Sequence, residues 1–170
     1  MGTMTDGFVV GTGGGVPIDL PGWSMLVKVG ASSTGGALTA VHGRIAPGHP
    51  GPAEHVHDGH DETFVVLDGT LRFRLDDRYT TVVAGDVVFA PRGLAHGFSN
   101  PSETPATYLA MVTPSGYERY FEQLAEHFRR TGDLPGPTTT DDWMAALDTR
   151  RAAPLPPASA PVIPPEGGQR

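Results

Sequence analysis

His55-Val56-His57-Asp58-Gly59-His60-Asp61-Glu62, followed by Gly69, gathers three histidines and a glutamate within eight residues. On an extended strand, residues two apart share a face, so His55 and His57 point the same way. A reversal of the chain over residues 58–61 brings Glu62 back on the next strand toward the same pocket. Alternation then places Glu62, Phe64 and Val66 on one face. A second stretch, Gly85-Asp86-Val87-Val88-Phe89-Ala90-Pro91-Arg92-Gly93-Leu94-Ala95-His96-Gly97-Phe98-Ser99-Asn100, supplies a third imidazole, His96. It follows Pro91-Arg92-Gly93, a turn able to swing a strand back across a barrel. Three imidazoles and one carboxylate leave one or two exchangeable positions on a transition metal, and suit iron, manganese, nickel, cobalt or zinc. The chain contains no cysteine, so thiolate ligands and disulfides are excluded.

The surroundings of these stretches favour short strands. The chain has 170 residues, 23 of them glycine and 17 proline, which suits one domain with many turns better than a helical bundle. Strands are expected at Trp23–Val29, Ala37–Ala46, His55–Asp58, Thr63–Leu67, Thr70–Leu75, Thr80–Val83, Asp86–Ala90 and Thr107–Val112. Turn residues such as Asp68-Gly69, Asp76-Asp77-Arg78 and Ala84-Gly85 separate them. This spacing indicates an all-β sandwich or barrel over 23–114. Pro47-Gly48-His49-Pro50-Gly51-Pro52 reads as a rigid loop, because proline cannot donate to a strand ladder.

The ends read differently. Residues 1–22 form a Gly-rich, flexible arm with a short edge strand at Phe8–Val10. Its Gly11-Thr12-Gly13-Gly14-Gly15 run lacks the Lys-Ser/Thr and helix of a phosphate loop. At 115–150 the periodicity becomes helical. Ser115 and Glu118 have capping-box spacing, and Tyr117, Tyr120, Phe121, Leu124 and Phe128 recur as a stripe that ends near Thr131-Gly132. That stripe reads as packing against the barrel. A second short helix is expected over Asp141–Arg150. Residues 151–170 are Pro-rich and expected to be disordered. A net charge of −7 argues against nucleic-acid or anionic-membrane partners. No apolar run approaches the ~20 residues of a membrane span, and no signal peptide opens the chain, so a cytoplasmic location is expected.

His55-x-His57, Glu62 and Gly69, together with Gly85, Pro91-x-Gly93, His96 and Asn100, resemble the two motifs of the cupin superfamily. The second motif matches at each defining position. The first departs at its start, where the family usually has glycine and this chain has His49. The resemblance implies a double-stranded β-helix, or jelly-roll, barrel with one divalent metal (Fe, Ni, Mn, Co or Zn) held by His55, His57, Glu62 and His96. Gly69 and Gly85 would serve tight turns, and Asn100 would tie its own loop without touching the metal. Members of the family often pair as homodimers.

Glu62-Thr63-Phe64-Val65-Val66-Leu67-Asp68-Gly69 and Pro114-Ser115-Gly116-Tyr117-Glu118-Arg119-Tyr120-Phe121 further resemble small cupins akin to quercetin 2,3-dioxygenases. That resemblance implies a small-molecule substrate, a flavonol-like or polyketide-like hydroxylated aromatic or enol, oxidised beside the metal with Glu62 as general base. An apolar pocket wall is expected from Phe64, Val66, Phe73, Phe98 and Met111. The alternatives are a non-redox isomerase, cyclase or lyase of an enolisable metabolite, and a cupin that binds a small molecule without turnover. Of the other histidines, His60 is expected in solvent at the turn, His49 in a loop, His42 on a strand and His127 on the helix surface.

Overall fold

A computed structural model describes residues 7–133 and 149–151. The strands are β1 (Val16–Leu20), β2 (Trp23–Val29), β3 (Thr39–Ile45), β4 (His55–His57), β5 (Asp61–Asp68), β6 (Thr70–Leu75), β7 (Arg78–Val83), β8 (Val87–Ala90), β9 (His96–Ser99), β10 (Ala106–Thr113) and β11 (Thr149–Arg151). A single helical turn, α1 (Ala31–Thr34), follows β2, and a longer helix, α2 (Glu118–Thr131), follows β10. The strands form two antiparallel sheets, in the orders β1-β2-β3-β10-β5-β8 and β11-β4-β9-β6-β7. This is the all-β jelly-roll architecture that the cupin resemblance implies.

Alternation decides which side chains enter the barrel. On β5, Glu62, Phe64 and Val66 are buried; on β10, Ala106, Tyr108, Ala110 and Val112 are. Phe64, Phe73, Phe98 and Tyr108 pack ring against ring at 5.0–6.1 Å. Burying such rings is worth about 1.5–3 kcal/mol each. The β5–β6 reversal turns on Gly69, whose φ is +77°, and a Cβ there would lie 2.6 Å from the Pro105 carbonyl oxygen. Only glycine meets both demands.

Several expectations change. The supposed arm contributes β1 from Val16 onward, with Ile18 and Leu20 buried. Pro17 is tolerated because β1 is an edge strand. Phe8–Val10 form no strand and are largely exposed. Met111 lies on the outer face of β10, whereas Val66 and Phe73 sit in the core. The second helix expected over Asp141–Arg150 lies outside the described residues except at Thr149 and Arg150, which belong to β11. The tail beyond Arg151 also lies outside them. Among the described residues no helix is long and apolar enough to cross a membrane.

Helix α2 ends as expected, with Gly132 in a left-handed cap whose N–H reaches Phe128. Its start differs from a capping box, since no side chain caps the first turn. Instead, the Glu118 carboxylate accepts hydrogen bonds from the Ala31 N–H (2.8 Å), the Gly116 N–H (2.9 Å) and the Thr39 hydroxyl. One side chain thus ties α2 to α1 and β3. Phe121, Leu124 and Ala125 then bury the inner stripe of the helix, which packs near β1.

Burial would raise the Glu118 pKa, but these donors hold it below its ordinary 4.5. A depressed folded pKa means a contribution present above the unfolded value and lost as pH falls through the folded one. Glu118→Ala should therefore lower the unfolding free energy by about 2 kcal/mol in urea titrations near neutral pH. The deficit should shrink below pH 4.5, and a deficit independent of pH would contradict the role of the carboxylate.

Candidate metal centre

The two sheets bring the predicted ligands together. His55 and His57 come from β4 and His96 from β9, in one sheet; Glu62 comes from β5 in the other. His55 is the register partner of His96. All four side chains are buried, and one ligand atom from each lies within 4.8 Å of the others. The imidazole centroids are 4.6 Å apart for His55–His96, 4.7 Å for His55–His57 and 5.3 Å for His57–His96.

Backbone and side-chain bonds hold this geometry. The Gly93 N–H donates to the His57 carbonyl (2.8 Å), which joins the second motif to β4. Arg92 grips Asp61 with three donors, its backbone N–H (2.8 Å), Nε (3.0 Å) and a terminal nitrogen (2.7 Å). That grip holds the Asp61 carboxyl down to about 2. Asn100, fully buried, donates to the carbonyls of Ile45, Ala46 and Thr104 and accepts from Ser102. It pins the end of β9 to the end of β3 and makes no contact with the cluster.

The proton positions follow from chemistry. A carbonyl can only accept, so the Nδ1–H groups of His55 and His96 donate to Ala53 (2.7 Å) and Leu94 (2.9 Å) respectively. Their Nε2 atoms are thereby the ones turned to the cluster, as the backbone partners of metal-binding imidazoles commonly arrange. Burial, reinforced by the other two imidazoles, pushes His55 down to about 3 and keeps it neutral.

Glu62 is the counterweight. Its carboxylate oxygens lie 3.2 Å from His57 Nε2 and 3.0 Å from His96 Nε2. Burial would raise its pKa, but these two partners hold it well below the carboxylate range. His96 is raised in turn: burial opposes its charge, and the Glu62 bond overcomes that. Both its ring nitrogens face oxygen acceptors, an arrangement that favours the protonated ring. A divalent cation would offer Glu62 the positive charge that this proton supplies. The donor set therefore fits a transition metal in both charge and ligand type.

A cavity of about 260 Å³ reaches the cluster, with His55 and Glu62 in its lining. Of the expected wall residues, Phe64 and Phe98 line it, while Val66, Phe73 and Met111 do not. Tyr117, Tyr120, Phe121 and Leu124 of the helical stripe wall it instead, together with Trp23 and Tyr108. The stripe was legible as a helix face, but periodicity carries no sign of a cavity beneath it. Tyr117 stands edge-on to His57 at 4.8 Å and stacks on Tyr120 at 5.4 Å. His60 is not a solvated bystander: it is partly buried, 6.1 Å from His57 and 6.3 Å from Tyr117. His49 also lines the cavity; its Nδ1 accepts from the Gly51 N–H (2.9 Å), so its Nε2–H donates to Pro21 (3.0 Å). His42 lies on the outward face of β3.

Comparison with known proteins places this geometry. Residues 41–112 match the family model described as Cupin domain. An uncharacterized protein from Aquifex aeolicus (strain VF5) is 38% identical over 61 residues, which cover 36% of this chain. The match spans 50% of that curated relative's length. KdgF from Halomonas sp. is similar in structure, with a TM-score of 0.59 at 19% identity over 67% of this chain and 99% of that one. An RmlC-like cupin from Shewanella frigidimarina NCIMB 400 is similar with a TM-score of 0.56 at 22% identity, over 68% of this chain and 96% of that one.

Purified protein should carry one transition-metal ion per chain by elemental analysis, and His96→Ala should lose it; metal unaffected by that change would refute the ligand set. Apparent affinity should fall as pH drops through the raised His96 value, because protons compete for its Nε2. His55, held near 3, should not contribute to that fall. Metal titrations at several pH values read both.

Proposed function

We propose, for a chain whose residues 41–112 match the cupin-domain family model, that the barrel is a metal-dependent dioxygenase acting on a flat, hydroxylated aromatic or enol substrate such as a flavonol or polyketide. One observation carries this reading: a ring-walled, largely apolar cavity ends on a buried three-histidine, one-carboxylate cluster. Such a wall suits a planar apolar ligand, and the cluster suits an ionisable oxygen on its edge. His55, His57, Glu62 and His96 would hold a divalent transition metal, which supplies a Lewis acid and a meeting point for substrate oxygen and dioxygen.

The chain's own groups have separate tasks. Glu62, at the cavity wall, would loosen from its place among the ligands and accept the proton of the substrate hydroxyl as that oxygen turns toward the cluster. Tyr117, Tyr120 and Phe121 from α2 close the cavity above the imidazoles and orient the ring system by stacking and edge contacts. The same rings exclude water, which strengthens every charge interaction inside.

Protein loaded with iron, nickel, cobalt or manganese should consume oxygen when given flavonols, with at least one of the four metals active. Glu62→Gln should lower kcat by about 10²–10⁴-fold, the usual contribution of a positioned base. No oxygen uptake with any metal would sink the dioxygenase reading, and substrate turnover under strict anaerobiosis would reassign the site to non-redox isomerase, cyclase or lyase chemistry.

A further inference from the structure

The cavity has a second polar feature besides the cluster. Trp23 and Tyr108 both line it, and the Trp23 Nε1–H donates to the Tyr108 hydroxyl oxygen at 2.7 Å. The pair is buried, at 9% and 2% exposure. With its oxygen engaged as acceptor, the Tyr108 hydroxyl still has a proton to donate, and none of the described residues accepts it. Buried donors without acceptors are rare and call for an explanation. Burial, moderated by the Trp23 bond and reinforced by the Glu62 charge, pushes the Tyr108 pKa far up, so the proton stays in place. Accepting from Trp23 also polarises the hydroxyl and strengthens it as a donor.

Its position relative to the cluster follows from the strand register. On β10, Val112 is the register partner of Glu62, whereas Tyr108 is the partner of Val66 on β5 and of Gly43 on β3. Tyr108 and Val112 are four residues apart, roughly 13 Å at about 3.3 Å per residue. The Tyr108 ring lies over Gly43, where a Cβ would come within 2.2 Å of it, and bonds Trp23 on β2. Its hydroxyl is thus directed toward β2 and β3, on the far side of β10 from β5 and Glu62. Between the two ends on β10 stands Ala110, small enough to leave the cavity open. The histidine N–H donors of the wall are taken, His49 Nε2–H by the Pro21 carbonyl and His55 Nδ1–H by the Ala53 carbonyl.

We propose that the Trp23–Tyr108 pair is a specificity-determining donor, which selects ligands bearing an acceptor oxygen at the end remote from the metal-binding oxygen. The ligand class is a planar molecule with oxygens at both ends, separated by an aromatic or conjugated body. This rests on the functional reading above for the metal-directed end of the ligand, but not on its redox chemistry.

The test is equilibrium binding to zinc-loaded protein without oxygen, where no turnover occurs. The probes are 3-hydroxyflavone, whose only oxygen functions are the ring oxygen and the chelating hydroxyl-ketone, and quercetin, which adds hydroxyls at both extremities. Wild-type protein should bind quercetin more tightly. Tyr108→Phe should weaken quercetin about three- to tenfold and should not weaken 3-hydroxyflavone, which loses only a donor it leaves unsatisfied. Trp23→Phe, which keeps the hydroxyl but removes its polarising donor, should give a smaller loss of the same kind, and it carries the test if Tyr108→Phe does not fold. Equal effects on both probes, no loss for quercetin, or no saturable binding of either probe would overturn the proposal. Because zinc does not cycle redox states, failure of oxygen uptake with the other metals leaves this selectivity measurable.

Discussion

The Glu62 carboxylate is a buried anion whose close partners are imidazoles of the opposite sheet. Glu62 rides on β5, and His57 and His96 ride on β4 and β9. An isolated carboxylate at that depth is prohibitively costly, so the two sheets reach charge balance only when closed face to face in one register. A slip of one residue on β5 would point Glu62 outward and bring Asp61 or Thr63 in. The Asp61–Arg92 clasp and the Gly93–His57 backbone bond stand near this pair and oppose such a slip, while the Asn100 ties hold the other end of β9 to β3. Taking apart a buried pair of this kind is destabilising even where forming it gains little. The arrangement thus enforces specificity of closure more than it adds net stability.

That closure leaves the barrel open at one flank, and α2 covers it. The helix is anchored by one carboxylate, Glu118, to α1 and β3, and its apolar stripe does two jobs. Leu124 and Phe121 belong to the core and line the cavity, while Tyr117 and Tyr120 present rings to the space above the imidazoles. The interior is therefore finished by an element outside the strand sequence that the cupin motifs describe. Since α2 follows β10 directly, its placement depends on the chain leaving the barrel beside the cluster.

Much of this was legible before any coordinates. His-x-His on a strand, a returning Glu and a His after a Pro-x-Gly turn encode facing directions through the two-residue period, and the structure has those directions. The role of Asn100 followed from the cupin resemblance, and its amide does bond the surrounding carbonyls. What escaped shares a physical cause. β1 was hidden because its alternation of Ile18 and Leu20 is only five residues long and is interrupted by Pro17. Of the expected wall, Phe64 and Phe98 line the cavity and Val66, Phe73 and Met111 do not, because alternation does not divide a packed interior from an open one. Whether an inward ring meets another ring or an open space depends on what faces it across the barrel, and here Ala110, Gly43 and the position of α2 decide that. His60 looked solvated among acidic neighbours, yet the return of β5 carries it beside His57.

A barrel of this kind can host many reactions, so the cluster alone says little about which one. The walls are more informative, because they differ in polarity along their length. At one end Glu62 offers a carboxylate acceptor, and its imidazole partners can give up their cluster-facing nitrogens to a metal. At the other, a phenol held protonated by burial offers only a donor. Between them the lining is mostly aliphatic and aromatic. A ligand that satisfied only the metal end would leave the Tyr108 proton buried without an acceptor, at a cost of about 1–3 kcal/mol. One that satisfied only the phenol would place no ionisable oxygen beside Glu62. The cavity therefore discriminates by requiring both ends at once, a stricter filter than either apolar fit or metal affinity alone.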